Sequence, residues 1–272
     1  MLLAVGLDPN RSIIFHQSNV PAHSELMWIL SCQASTGYLS RMTQWKDKTS
    51  NERGNSEKLK LGLFSYPVLQ AADVLVHRST HVPVGHDQAQ HLEFAREVAI
   101  GFNHTYGAGI LVPPETLISP AKRIMSLATP TTKMSKSDQN WKARIMLTDS
   151  EEMIKSKIKA AVTDSGTSSI SYDPEGRPGV SNLLDILYYS HTSNEYKSQE
   201  LLAQDLNGIS FKALKEKTAQ AVEVTIRPIR ERYYDIRSDE QLMDRVAAQG
   251  AVKARANAET TLDGVKRAVG LT

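Results

Sequence analysis

At 272 residues, 40% apolar and 23% charged, the chain has the composition of one large folded domain or two modest ones, with enough length to bury a core. A net charge of +2 excludes a broadly basic nucleic-acid binder, so any RNA contact has to be a local patch. The single cysteine, Cys32, excludes an internal disulfide and a cysteine-built zinc site, and no apolar run approaches the about 18 residues a membrane span needs.

The opening MLLAVGLDPN reads as the end of a helix, too short and uncharged for a signal or transit peptide. Residues 12–16, SIIFH, form a short apolar run fit for a buried parallel strand, and Pro21 with SELMWILSC starts a helix that places Cys32 in a core. Residues 41–58 are polar without a clean period, which reads as a helix end followed by an exposed loop. Leu61 to Tyr66 leads into Pro67, whose fixed φ and missing N–H suit the first turn of a helix over 67–77. His81 to Gly85 reads as a strand and Asp87 to Phe102 as an amphipathic helix, with Asp87 and Gln90 at capping-box spacing. The runs 123–127 (RIMSL) and 143–147 (ARIML) read as strands on either side of the polar loop TPTTKMSKSDQNWK.

This alternation predicts an α/β fold with a doubly wound, Rossmann-like parallel sheet. Beyond about residue 150 the period is helical: 151–162, 180–190, 194–206 and 211–236, with a Ser/Gly/Pro-rich connection over 162–179. The segment from Gln241 onward is alanine-rich with basic residues at helical spacing. The expected domains are therefore a nucleotide-binding domain over 1–138, a helical domain over 139–236 and a C-terminal helix over 237–272 packing back on the first.

Three clusters carry candidate chemistry. In Lys133-Met134-Ser135-Lys136-Ser137, two ammoniums three residues apart, interleaved with hydroxyls, suit a polyphosphate, although Lys/Ser runs are also common in plain solvated loops. Asp73 shares a helix face with Leu69 and Val76, so its carboxylate needs a donor: an arginine, a neighbouring helix end or a ligand N–H. Gly85-His86-Asp87-Gln88 lies where a strand gives way to a helix, the usual ligand crevice of a doubly wound sheet. No His or Cys pair has metal-ligand spacing, and His91 and His104 are expected at helix surfaces or ends. Arg227, Arg230, Arg232, Arg237, Lys253 and Arg255 could meet RNA phosphates, or form a solvated face laced with Glu231, Asp235 and Asp239.

YPVLQAAD (66–73), VPVGHDQAQH (82–91), RIMSL (123–127) and KMSKSD (133–138) occur in an order and spacing that resembles the tryptophanyl-tRNA synthetases, of the class I aminoacyl-tRNA synthetases. The similarity runs from Val5 to Leu271. It implies that Asp73 binds the indole nitrogen of tryptophan, with Tyr66 and Gln88 on the amino-acid head group. It implies ATP contacts at Gly85, His86 and Asp87 near the ribose, where His86 replaces the commoner glutamate, and at Ile124 on the adenine. Lys133, Met134, Ser135, Lys136 and Ser137 would hold the phosphates, with Lys133 and Lys136 the catalytic pair that neutralises departing pyrophosphate. Magnesium is expected to arrive with ATP and no dedicated protein metal site is expected. The implied partners are L-tryptophan, ATP, tRNA-Trp and a second copy of the chain, without a membrane. VLQAAD in place of LMAAD looks like the mitochondrial branch, so the mitochondrial matrix is the expected compartment, or the cytoplasm if the source is bacterial. The resemblance implies that the sheet is partial, its first strand and HIGH-type turn missing from the sequence, and that the helical domain binds the tRNA anticodon. The missing turn keeps a rival open: a truncated, non-catalytic form that binds tRNA or pairs with a full-length subunit. A tyrosine-specific relative fits less well, because AAD, GxDQ and RIMSL together match the tryptophan branch.

Overall fold

The computed structural model describes residues 1–51, 59–118, 124–164, 169–190 and 196–271. In chain order the helices are α1 (Ala22–Ser31), α2 (Thr36–Arg41), α3 (Thr43–Asn51), α4 (Leu61–Leu75), α5 (Ala89–Tyr106), α6 (Glu151–Ala160), α7 (Pro178–Ser190), α8 (Gln199–Asp205), α9 (Phe211–Ser238) and α10 (Leu242–Val269). The strands are β1 (His81–Val84) and β2 (Glu115–Ile118). The chain divides into two compact units, Pro9–Pro120 with Gln241–Thr272, and Met1–Asp8 with Ala121–Glu240. The KMSKS segment thus falls in the same unit as α6 to α9.

The first unit is mixed α/β. β1 and β2 pair in parallel, His81 opposite Glu115 and Val84 opposite Ile118, with α5 as the crossover that a parallel pair requires. Its core joins Leu26 and Leu30 of α1, Val68, Ala71, Ala72 and Leu75 of α4, and Phe94 and Phe102 of α5. Ala254, Ala258, Leu262 and Val265 of α10 complete it, small residues alternating with large ones so that helices approach closely. α10 ends on Gly270, whose φ of 76° is the left-handed cap geometry glycine takes without steric cost.

The second unit is helical. Serine hydroxyls begin three of its helices: Ser150 for α6, Ser198 for α8 and Ser210 for α9 each accept a backbone N–H of the first turn. Glu151 and Glu152 lie at the start of α6 and Lys157 and Lys159 in its last turn, matching the helix dipole. The core is formed by Leu127, Ile154, Ile158, Val180, Leu183, Leu184, Leu187, Leu214 and Val222.

Several local expectations are corrected. Among the described residues, 12–16 pair with no strand; instead this segment packs on α10, where a Cβ on Gly250 would collide with the Ile14 carbonyl. Pro67 lies in the middle of α4, not at its start. It withholds one helical bond, but buried Val68, Ala71, Ala72 and Leu75 keep the helix going beyond it. Of the two runs read as strands beside KMSKS, Arg123 lies outside the described residues, and among the described residues Met125 makes a single antiparallel bridge, to Lys133. Residues 141–143 form a 3-10 turn, and 144–147 pair with no strand among the described residues. Parts of three other expected segments, 52–58, 165–168 and 194–195, also lie outside the described residues. Cys32 is exposed at the C-terminus of α1, and His91 is buried, because the face of α5 that carries it turns toward α4.

Candidate functional site

Tyr66, Gln70 and Asp73 share one face of α4, at spacings of about one and two helical turns. Asp73 is flanked by donors rather than by an arginine. Its Oδ1 accepts from Gln17 Nε2 at 2.6 Å and from His23 Nδ1 at 2.7 Å. The Asp73 side chain is 36% exposed and that of His23 only 4%, so the imidazole backs the carboxylate from inside while the carboxylate reaches the surface. Behind His23, His77 Nε2 lies 3.2 Å from His23 Nε2, and His77 Nδ1 lies 2.8 Å from the side-chain amide of Asn257.

Two turns back along α4, the Tyr66 hydroxyl is 2.6 Å from Gln44 Oε1 and 3.1 Å from His91 Nε2. A hydroxyl has one proton, and the amide oxygen can only accept it, so His91 donates through Nε2, and burial favours the neutral ring. It lowers the basicity of His91 and raises the Tyr66 phenol above its ordinary range. His91 Nδ1 is then a buried acceptor with no partner among the described residues.

Gly85 ends β1 and opens a 3-10 turn over His86–Gln88. Its φ of −69° is ordinary, so what glycine supplies is room, since a Cβ there would sit 2.8 Å from Asp87 Oδ1. Gln88 links this turn to α4, donating to Asp87 Oδ2 at 3.0 Å and accepting from Gln70 at 3.2 Å. Gln90 Oε1, at the capping-box position, accepts from the Thr43 N–H at 2.9 Å. Tyr66, Asp73, Gly85, His86, Asp87 and Gln88 therefore all belong to the first unit, and side-chain bonds join Gln88 to both Asp87 and α4. His86 is exposed.

The phosphate-type loop is built on the second unit. Met134 N donates to the Ile124 carbonyl at 3.0 Å, and Ser126 N to the Thr132 carbonyl at 2.8 Å, so the loop leaves and returns to one short ladder. Met134 is half-buried against the helical core, which anchors the middle of the motif. That anchoring leaves Lys133, Ser135, Lys136 and Ser137 exposed. The two serine hydroxyls are 3.0 Å apart, and Ser137 N donates to Ser135 Oγ. Ile124, Lys133, Met134, Lys136 and Arg144 border a cavity of about 600 Å³, which Tyr233 also lines. Arg144 donates to the Asp138 carbonyl just past the motif.

Gln17, His23, Gln44, Gln70 and Asn182 were not legible as site residues. The available signal was faint: His23 and Asn182 are polar residues inside otherwise apolar helical runs. Among the candidate RNA-binding arginines, Arg227 and Arg230 pair with buried Glu223, and Arg232 donates to the Ala4 carbonyl, so these three also hold their own unit together.

The family model described as tRNA synthetases class I (W and Y) matches residues 1–226. Tryptophan–tRNA ligase 1 of Streptomyces coelicolor is 42% identical over 271 residues, covering 100% of this chain and 79% of that protein. The crystal structure of tryptophanyl-tRNA synthetase from Mycoplasma pneumoniae superposes with a TM-score of 0.83 at 32% identity, covering 100% of this chain and 80% of that one. The Campylobacter jejuni enzyme, crystallised with ADP and tryptophan, gives 0.76 at 31% identity over 99% and 80% of the two chains. With that breadth of match in both sequence and structure, the chain belongs to the class I tRNA synthetases, in the tryptophan–tRNA ligase branch.

Proposed function

We propose that the chain activates L-tryptophan with ATP, releasing pyrophosphate, and then transfers the tryptophanyl group to tRNA-Trp. The observation that carries this reading is the surface-reaching carboxylate of Asp73, held by two donors on a single oxygen. A carboxylate accepts and never donates, and an indole donates and never accepts, so the pair is complementary. A site built to bond a substrate N–H rejects an analogue lacking it by about 10⁴-fold or more.

In the first step the tryptophan carboxylate attacks the α-phosphorus of ATP and the bond to the β-phosphate oxygen breaks. Tyr66 and Gln88 orient the amino-acid head group. Gly85, His86 and Asp87 take the ribose region of ATP, the 124 main chain the adenine, and Met134, Ser135 and Ser137 the phosphates. Lys133 and Lys136 stabilise the negative charge that builds on the departing pyrophosphate, the main lever where the protein forms no covalent bond to substrate. Magnesium enters on the nucleotide. The tRNA, a second copy of the chain as partner and the mitochondrial matrix belong to the same reading and rest on family likeness, the compartment on the VLQAAD variant alone.

Pyrophosphate–ATP exchange by the purified chain tests the proposal, with tyrosine in place of tryptophan and Asp73→Ala as controls. Exchange with tryptophan only, lost in the variant, is the expected result. Exchange with tyrosine would overturn the role of Asp73. A chain that binds tRNA yet exchanges no pyrophosphate would support the non-catalytic reading instead.

A further inference from the structure

Behind Asp73 stands a row of polar groups with no role in the chemistry above. Asn257 of α10, His77 beyond the end of α4, His23 of α1 and the Asp73 carboxylate follow one another at 2.8, 3.2 and 2.7 Å. His23 is 3% exposed, and Phe15 packs on both imidazoles with ring centroids 5.9 and 5.4 Å away.

Counting protons constrains the row. Asp73 Oδ1 accepts, so His23 Nδ1 carries a hydrogen. The facing Nε2 atoms of His23 and His77 share one hydrogen between them. The orientation of the Asn257 amide decides which ring supplies it. With the amide oxygen toward His77, His77 keeps its proton on Nδ1, and the two rings together hold three hydrogens. With the amide nitrogen toward His77, the shared proton sits on His77 Nε2 and both rings are neutral. Burial lowers the basicity of His77. In both arrangements, Asp73 Oδ1 receives two N–H groups, from Gln17 and His23, which fixes the carboxylate torsion. Every bond to Asp73 among the described residues ends on Oδ1, so Oδ2 is left to receive a ligand donor.

We infer that His77 and Asn257 are positioning residues that act through His23 to hold Asp73 Oδ2 in place, and that this row sets the preference for an amino acid whose ring carries an N–H over an isostere without one. The inference rests on the reading of Asp73 as the indole acceptor. A purely structural role, stitching α1, α4 and α10 together, would weaken the binding of both amino acids alike.

The test is calorimetric titration of the full chain and of His77→Leu, His77→Gln and Asn257→Leu with L-tryptophan and with 3-benzothienyl-L-alanine, in which sulfur replaces the ring N–H. His77→Leu should weaken tryptophan about tenfold or more, the value of one charge-assisted hydrogen bond, and leave the sulfur analogue unchanged. His77→Gln, whose amide can still donate to His23, should restore most of the difference. Equal losses for the two ligands would overturn the inference. Histidine ¹⁵N spectra without ligand supply a second arm, where the His23 Nδ1–H resonance should move in His77→Leu and again in Asn257→Leu. An unmoved resonance would overturn the positioning role whatever the ligands do. If the unmodified chain binds neither amino acid, the indole reading and the selectivity fall together, and the spectra alone decide whether His77 positions Asp73.

Discussion

Asn182 bonds both backbone groups of Met125, accepting its N–H on Oδ1 at 2.9 Å and donating from Nδ2 to its carbonyl at 2.9 Å. A buried side chain of α7 thereby does for one residue what a neighbouring strand would do, and Met125 is the residue bridged to Lys133. The pairing fixes the base of the loop that presents Lys133 and Lys136.

Asn182→Leu keeps the size of the side chain but leaves the Met125 N–H and carbonyl unpaired. Stability should fall by about 1–3 kcal/mol, the cost of buried backbone groups without partners. In pyrophosphate exchange the KM for ATP should rise while that for tryptophan stays the same. A rise in both, or in neither, would detach Asn182 from the loop.

Lys133→Ala and Lys136→Ala should separate catalysis from stability. Both side chains are exposed, so denaturant midpoints should stay within about 0.5 kcal/mol of the unmodified chain. The rate of pyrophosphate exchange should fall by about 10²-fold or more for each, as when one stabilising donor is removed from a developing anion.

Gly250→Ala sets two backbone effects against each other. Alanine gains about 1 kcal/mol over glycine in a helix interior. Against this, its Cβ would fall on the Ile14 carbonyl, which belongs to the main chain and has no rotamer to change. Overpacking of this kind costs about 1–3 kcal/mol, more if the 13–16 segment must detach, so the net change should be destabilising. Thermal melting of the variant against the parent measures the sign directly.

The pH dependence of stability has two windows. Burial depresses the folded-state pKa of His77 and His91 below the unfolded value of about 6.5. The unfolded chain therefore binds more protons than the folded one below that pH, so this stability is fully present above about pH 6.5 and is lost as the pH falls toward the depressed values. Glu223 is depressed by Arg230 and, less strongly, Arg227, so its contribution is present above the ordinary carboxylate range and lost at lower pH still. Urea midpoints should decline in two stages on acidification. His91→Gln, which retains a donor for Tyr66, should flatten the upper stage, and an unchanged profile would show that His91 does not titrate on unfolding.

The helices with a strong 3.6-residue period, α6, α7, α9 and α10, were legible because the apolar stripe that defines each of them is local. The KMSKS motif was legible for the same reason, five adjacent residues carrying their charges and hydroxyls in order. Asp73 stood out as a carboxylate on an apolar face. The strands were less legible. The runs at 12–16 and 143–147 have strand-like composition, but a strand exists only where a second segment takes its hydrogen bonds, and composition cannot supply that partner. Pro67 reads as a helix start for a related reason: its local preference for the first turn is outweighed by the burial that carries α4 through it.

The amino-acid chain by itself therefore determined the helical periods, the phosphate-type loop and the residue types of the site, all properties of neighbours in sequence. Only the tertiary structure decided what stands behind them. His77 meets His23 across 54 positions and Asn257 across 180, and hydrogen bonds between such distant residues depend on how α1, α4 and α10 pack, which no local pattern encodes.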